Sequence, residues 1–176
     1  KIGITSFTLT SPALIELVRS MDLQIKLKAS AICEIMTPDK ALFYKELGME
    51  RIVVDPDITR DFNKLKQIVG VFGDHVELIV NNVCYKNCAY KMFHYNHEAH
   101  DTPGNTHQTI HDYYYHRCHM QKAKDLKNVI RLNWVRPEDL KYYQRVGIRY
   151  FKIQGRQNVE KGDPLKAVEA YMKESY

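Results

Sequence analysis

Cysteines at a short spacing are the most reactive feature of this sequence. Cys84 and Cys88 stand four positions apart after a predicted strand, and Cys118 follows 30 positions after Cys88. Two thiolates on one loop or helical turn can bind the same metal. Zinc would take Cys84, Cys88 and either two histidines or Cys118. An iron–sulfur cluster would use three or four thiolates, which the four cysteines could provide. Cys33 would be the fourth, although a cysteine in its position more commonly packs in the core.

Histidines and tyrosines are concentrated around these cysteines. Seven of the eight histidines fall between positions 94 and 119: His94, His97, His100, His107, His111, His116 and His119. Histidine is a common zinc ligand, but most of these imidazoles are expected on the surface of a polar loop. The run Tyr113–Tyr115 either stacks on nucleic-acid bases or packs this segment against the rest of the fold.

A second group of polar residues follows the predicted strands. In parallel α/β folds the carboxyl ends of the strands share one edge, where reactive groups collect. These ends are Thr5–Ser6, Cys33–Glu34, Asp55–Asp57, Asn81–Asn82 and Gln154–Arg156. We predict a pocket in which Glu34 or Asp55 moves a proton and Asn82 forms hydrogen bonds. Arg156 would bind an anionic group there, or would form a structural ion pair with Asp55 or Asp57.

Alternating strands and helices must position these residues. The predicted strands are Ile2–Thr5, Gln24–Ile32, Arg51–Asp55, Val76–Asn81 and Arg149–Ile153. A capping side chain before a proline indicates helix starts at Ser11–Pro12, Thr37–Pro38 and Asp163–Pro164, and Thr59 is the predicted cap of a further helix. Gly48 and Gly147 stand where a helix turns directly into a strand. This alternation predicts the α/β class with a parallel sheet and crossover helices.

Residues 83–133 interrupt the alternation, contain no clear strand and hold three of the four cysteines. Without these 51 residues 125 remain, enough for about five βα units, whereas a closed eight-unit barrel needs about 250 residues. The sequence therefore predicts a single domain over 1–176. This domain would be a partial TIM-like (β/α) barrel with a Cys- and His-rich insertion after the fourth predicted strand. Because an open sheet exposes an edge, another chain or a missing N-terminal segment is expected to complete it.

Composition and charge limit the functional classes. With 44% hydrophobic and 27% charged residues, the chain is typical of a globular protein and not of a disordered one. No apolar run approaches the ~20 residues of a transmembrane helix, so no membrane partner is expected. The net charge of +5 suits RNA or a small anionic substrate, although the ten basic residues between 120 and 156 are expected mainly on solvated helix faces. Four cysteines without a secretory signal indicate a reducing compartment, the cytoplasm.

Several long segments of the sequence carry a resemblance to a known family. They are NNVCYKNCAYKMFHYNH, the lone Cys118 and WVRPEDLKYYQRVGIRYFKIQGR, with ITSFTLTSPALIELV and KASAICEIMTPDKALFYKELGMERIVVDPDITRDF upstream. Together they resemble peptidase family U32, the collagenase-like family whose catalytic type is not established. The resemblance implies a TIM-like barrel of which this chain supplies the later strands. Two positions depart from the family pattern: Ala89, where a proline commonly follows the second cysteine, and Lys91, where arginine is common.

The resemblance also implies an activity. Family members are similar to oxygen-independent hydroxylation proteins that act on tRNA uridine, ribosomal RNA cytidine or a ubiquinone precursor, and several of these hold a four-iron (4Fe–4S) cluster on four cysteines. Cys84, Cys88 and Cys118 match the cluster cysteines, and the fourth ligand is Cys33 or a residue outside the 176. An iron–sulfur-dependent hydroxylase or RNA-modification enzyme is therefore expected. The alternatives are a metal-dependent peptidase, although neither an HExxH nor a GxSxG motif occurs, and a non-catalytic metal-stabilised binding module.

Overall fold

The computed structural model describes residues 3–101, 113–155 and 164–175, and every side chain in these ranges except those of residues 100 and 101. The strands in these ranges are β1 (Ser6–Leu9), β2 (Lys26–Ala29), β3 (Arg51–Val53), β4 (Val76–Ile79), β5 (Asn81–Tyr85), β6 (Leu132–Trp134) and β7 (Tyr150–Lys152). The helices are α1 (Pro12–Ser20), α2 (Pro38–Glu46), α3 (Phe62–Phe72), α4 (Lys91–Asp101), α5 (Tyr113–Lys124), α6 (Lys127–Ile130), α7 (Leu140–Arg145) and α8 (Pro164–Lys173). Short 3-10 turns occupy Ala31–Cys33, Pro56–Ile58 and Pro137–Asp139.

Five strands form one parallel sheet in the order β1-β2-β3-β4-β7, and β5 and β6 form a separate two-stranded sheet. Helices connect the parallel strands: α1 lies between β1 and β2, α2 between β2 and β3, and α3 between β3 and β4. The chain reaches β7 from β4 only after β5, β6 and α7. The predicted α/β class with a parallel sheet and crossover helices is confirmed.

The chain divides into two compact units. The first comprises Lys1–Asn82 and Asn133–Tyr176 and contains the parallel sheet, so we call it the sheet unit. The second comprises Val83–Leu132 and contains Cys84, Cys88 and Cys118, so we call it the cysteine unit. Helices α4, α5 and α6 lie in the cysteine unit.

The hydrophobic core of the sheet unit is formed by one face of the sheet and the helices that pack on it. Leu27, Ile52, Val76 and Leu78 are at most 1% exposed and alternate along β2, β3 and β4. The helices contribute Ile15, Ala41, Tyr44, Leu65, Ile68, Phe72, Leu140 and Tyr143 to the same cluster. Burial of each large aliphatic side chain contributes about 1.5–3 kcal/mol, which fixes the sheet against these helices.

The other face of the sheet carries charged residues, because successive side chains of a strand point to opposite faces. Lys28 Nζ lies 2.7 and 2.8 Å from the two carboxylate oxygens of Glu77, and Arg51 Nη1 lies 3.4 Å from Glu77 Oε2. The Arg51 guanidinium also lies 3.7 Å from the centre of the Tyr150 ring. One network therefore spans β2, β3, β4 and β7, beside the buried Val53 and Ile79.

Helix ends are where the sequence predicts most accurately. Ser11 Oγ accepts from Leu14 N at 3.5 Å and Thr37 Oγ1 accepts from Lys40 N at 3.3 Å, which confirms both caps. Helix α8 begins at Pro164, while Asp163 lies outside the described residues. Gly48 and Gly147 have φ of +78° and +97°, as expected for residues that end a helix before a strand.

Two elements were predicted in the wrong place. The first strand is Ser6–Leu9 and not Ile2–Thr5, because Phe7 and Leu9 pack on the core whereas Ile4 is 54% exposed. Thr5 and Ser6 therefore precede the strand or begin it, and they do not lie at its carboxyl end. The expectation of no strand within 83–133 is also wrong at both margins, since β5 and β6 extend into that segment.

The predicted cap of α3 was also wrong. The 3-10 turn Pro56–Ile58 ends with Thr59, whose backbone N–H donates to Pro56 O at 3.1 Å. The helix begins later, and Asp61 Oδ1 accepts from Lys64 N at 3.0 Å. A turn between strand and helix thus displaces the cap by two residues.

Alanine at Gly147 is expected to destabilise the protein by about 2–6 kcal/mol, because a left-handed residue and an overpacked contact each cost about 1–3 kcal/mol. The new Cβ would lie 2.7 Å from Val69 Cγ1. Urea unfolding of G147A against the parent chain measures the change. Gly70→Ala is the matched control, since Gly70 lies in α3 with nothing within 4 Å of its would-be Cβ, and it should be neutral or slightly stabilising. Equal midpoints for G147A and the parent would contradict the expectation.

Candidate functional site

A buried acidic pair follows β3. Asp55 is 0% exposed and Asp57 is 5% exposed. The 3-10 turn positions the pair, because Asp55 Oδ1 accepts from Asp57 N at 2.8 Å. Asn133, in β6, donates from Nδ2 to Asp57 Oδ1 at 2.8 Å. The sequence indicated the two carboxylates but not Asn133, which lies 76 positions from Asp57.

Asparagines follow β4 and have two different environments. Asn81 donates from Nδ2 to Gln154 O and accepts at Oδ1 from Gln154 N, both at 2.8 Å. Its amide therefore joins the end of β4 to the end of β7 in the way a strand partner would. Asn82 is 2% exposed, which places a second amide in the interior of the sheet unit. Asn81 is thus a structural link, and Asn82 remains the candidate for a site.

Glu34 lies at the same edge of the sheet as Asp55. It follows the 3-10 turn Ala31–Cys33 and has left-handed φ and ψ of 51° and 49°, a conformation that costs a non-glycine residue about 1–3 kcal/mol. The next residue, Ile35, accepts from Asp55 N at 3.1 Å. Asp55, Asp57, Asn82 and Glu34 therefore all follow parallel strands of the sheet unit, while Arg156 lies outside the described residues.

A buried hydroxyl accompanies the acidic pair. Thr59 is 0% exposed, and within the described ranges its Oγ1 has no hydrogen-bond partner. An unpaired buried polar group costs about 1–3 kcal/mol, so such atoms commonly point to a water or ligand. The sequence indicated Thr59 only as a helix cap.

Three cysteines lie in the cysteine unit: Cys84 in β5, Cys88 before α4 and Cys118 in α5. All three are partly buried. Burial raises the pKa of Cys84, and the nearby thiolates of Cys118 and Cys88 raise it further. A charge acts on a pKa more strongly the nearer it lies, so Cys88 and Cys118 are both near enough to Cys84 to influence its thiol.

A thiolate-bound metal requires soft sulfur donors arranged around one point. Cys84, Cys88 and Cys118 supply soft thiolate ligands of the kind that zinc and iron–sulfur clusters select. Beside them, the buried Tyr85 hydroxyl has no hydrogen-bond partner among the described residues, and burial and Cys118 raise its pKa. In the part of the chain that the structure describes, however, no three His, Cys, Asp or Glu residues are arranged to hold a metal ion. The chemistry of the residues fits such a group, while their arrangement falls short of a coordination shell.

Cys33 lies in a different environment, in the sheet unit. It is 6% exposed and belongs to the hydrophobic core. Its Sγ lies 3.4 Å from Thr10 O and 3.6 Å from Leu9 O. Burial raises its pKa, partly offset by a hydrogen bond with Tyr44.

Aromatic rings hold the helices of the cysteine unit together. The Tyr114 ring lies 5.7 Å from Tyr90, 6.0 Å from His94 and 5.9 Å from His97. In α5 the rings of Tyr115 and His119 are 3.8 Å apart. Tyr114 therefore packs α5 against α4 within this unit. His107 and His111 lie outside the described residues.

In the ranges that the structure describes, no helix combines the length and the apolar character that crossing a bilayer requires.

Known proteins are similar to almost the whole length of this chain. The model of peptidase family U32 matches residues 1–173. An uncharacterized protease of Methanocaldococcus jannaschii is 30% identical over 175 residues, which make up 99% of this chain and 51% of the relative. The chain thus spans about half the length of this curated relative.

Proposed function

Since the chain belongs to peptidase family U32, we propose that it is part of an iron–sulfur-dependent, oxygen-independent hydroxylase or RNA-modification enzyme. The observation that carries this proposal is that Cys84, Cys88 and Cys118 lie in one compact unit, where Cys118 and Cys88 raise the pKa of Cys84. Thiols that influence one another in this way favour a metal centre over independent surface thiols. Zinc is the alternative occupant, with a structural role.

Cys84, Cys88 and Cys118 would hold the cluster, with Cys33 or a residue outside this chain as the fourth ligand. When bound, an iron–sulfur cluster supplies electron transfer at a potential that its surroundings set. Lys91 and Lys122, whose charges lower the pKa of Cys84, would favour the deprotonated thiol that ligation needs.

The polar edge of the sheet unit would bind the substrate. Glu34 or Asp55 would accept or donate the proton, and Asn82 would orient a polar group by hydrogen bonds. Arg156 would bind a phosphate or carboxylate through its planar guanidinium. These roles suit RNA or a small anionic substrate. A location in the cytoplasm forms part of this proposal.

We also propose that the five-stranded sheet is part of a TIM-like barrel, completed by another chain or by a further segment of the protein. The network of Lys28, Arg51 and Glu77 beside Val53 and Ile79 supports this, because the inward faces of barrel strands are filled by side chains. A structure of a longer form in which this sheet stays open would contradict it.

Peptidase activity is the second candidate, favoured by the name of the relative, an uncharacterized protease. The buried Asp55 and Asp57 would then supply acid–base groups. Hydrolysis of gelatin that is lost in Asp55→Asn would support this function. A non-catalytic metal-stabilised binding module is the third candidate. Such a protein would contain metal but would catalyse no reaction.

Metal content and visible absorption of protein purified without oxygen test the leading proposal. An iron–sulfur protein is brown and contains iron and acid-labile sulfide, whereas a zinc protein is colourless. Colourless protein that contains no iron after anaerobic reconstitution with iron and sulfide would contradict the proposal.

A further inference from the structure

A small cavity opens in the cysteine unit, apart from the residues assigned above. Its volume is ≈ 180 Å³, and it is lined by Tyr90, Arg117, Met120, Gln121 and Lys124. Arg117, Gln121 and Lys124 are spaced i, i+4 and i+7 in α5, so they share one side of that helix. The volume equals that of about six water molecules at ≈ 30 Å³ each, which is room for one ring and a charged group.

Positive charge at this cavity is not neutralised by the described residues. No hydrogen bond or ion pair joins Arg117 or Lys124 to any side chain in the described ranges. Of the carboxylates described in this unit, Glu98 lies 3.4 Å from His94 Nε2, and Asp125 accepts from Lys127 N at 3.0 Å. The whole unit carries seven Lys and Arg against four Asp and Glu. An anion would therefore meet two cations that have no competing partner among the described residues.

An aromatic wall faces the same cavity. The Tyr90 ring packs against Tyr113 at 6.3 Å and Tyr114 at 5.7 Å between ring centres. These contacts hold the ring in place before any ligand arrives, which lowers the entropic cost of binding. Met120 adds a polarisable thioether, which contacts aromatic rings favourably.

We propose that this cavity binds a small anion that carries a single planar ring. Its carboxylate or phosphate lies between Arg117 and Lys124, and the ring packs on Tyr90 and Met120. Arg117 contributes a two-pronged hydrogen bond, and the tyrosine face selects ligands with a ring over simple ions. This inference goes beyond the proposed function and does not depend on a bound metal.

Isothermal titration calorimetry at low ionic strength tests the proposal, with benzoate, phenyl phosphate, inorganic phosphate and benzyl alcohol as probes. We expect one ring-bearing anion, benzoate or phenyl phosphate, to bind at least about tenfold more tightly than inorganic phosphate or benzyl alcohol. Whichever of benzoate and phenyl phosphate binds more tightly shows whether the site prefers a carboxylate or a phosphate. Absence of binding by both, or equal binding of inorganic phosphate, would overturn the proposal.

Substitutions of the lining residues show whether the probe binds in this cavity. Arg117→Ala and Tyr90→Ala should each weaken the preferred probe about tenfold or more, and Arg117→Lys should weaken it less. Lys127→Ala, which removes the same charge from a residue outside the cavity lining, should change binding less than about twofold. Equal losses in Lys127→Ala and Arg117→Ala would show general electrostatic attraction and refute the site. Metal content should be the same in Arg117→Ala as in the parent, which separates this inference from the metal proposal.

Discussion

Replacement of Cys84 by alanine is expected to remove most of the bound iron or zinc and the associated visible absorption. Cys84 is the thiol whose pKa both Cys118 and Cys88 raise, so its loss leaves a centre with two of three neighbouring ligands. Metal that binds only the folded state stabilises that state by mass action, and the variant should therefore also melt at a lower temperature. Iron and zinc analysis of protein purified without oxygen measures the first effect, and thermal unfolding measures the second.

The matched control is Met120→Ala, an exposed sulfur-containing residue of α5, 57% accessible, two positions from Cys118. It should retain the metal of the parent chain. Cys88→Ala and Cys118→Ala should behave as Cys84→Ala does. Unchanged metal content in Cys84→Ala would end the proposal of a shared centre at these three cysteines.

Cys33→Ala addresses the fourth ligand separately. Cys33 lies in the core near the carbonyl groups of Leu9 and Thr10, so alanine there should lower stability through lost packing. Metal loss in a variant that is still folded would assign Cys33 as the fourth ligand. Metal retention would place that ligand elsewhere.

Replacement of Asn133 by alanine is expected to destabilise the sheet unit by about 2–4 kcal/mol. Its Nδ2 donates to Asp57 Oδ1 at 2.8 Å, and both residues are at most 5% exposed. Hydrogen bonds to charged groups contribute about 1.5–3 kcal/mol, and loss of one partner of a buried charge costs more. Urea unfolding followed by circular dichroism provides the free energy of unfolding.

Asn63→Ala is the matched control, since Asn63 is an exposed asparagine of α3 and should change stability by about 0.5 kcal/mol or less. Asp57→Asn combined with Asn133→Ala tests the origin of the effect. If the charge of Asp57 is what Asn133 stabilises, the second substitution should cost less in the Asp57→Asn background. A loss below about 0.5 kcal/mol in Asn133→Ala would show that the contact is energetically minor.

Cys84, Cys88 and Cys118 show how much the spacing of residues in the sequence can predict. Cys84 and Cys88 are four positions apart, so chain geometry limits the separation of their Cα atoms to about 14 Å. Cys118 lies 30 positions after Cys88, and only the packing of the cysteine unit brings it close enough to change the pKa of Cys84. The resemblance to peptidase family U32 indicated that the three cysteines act together, but it did not show how they are arranged in space.

The candidate pocket was predictable to a similar extent. Alternating strands and helices located Asp55 and Asn82, because polar residues after parallel strands meet at one edge. Asn133 and the link from Asn81 to Gln154 were not predictable, since their partners lie 76 and 73 positions away. The buried Thr59 hydroxyl, which has no hydrogen-bond partner among the described residues, was also not predictable, because burial depends on what surrounds a residue.

By itself the sequence determined the α/β class, the caps at Ser11 and Thr37 and the glycine helix ends. These features depend on backbone preferences and on hydrogen bonds that span three or four residues. Tertiary structure decided that the first strand is Ser6–Leu9, that Asn133 contacts Asp57 and that Arg117 and Lys124 line one cavity. Each of these depends on contacts between residues distant in sequence, where core packing and partner availability outweigh local preference.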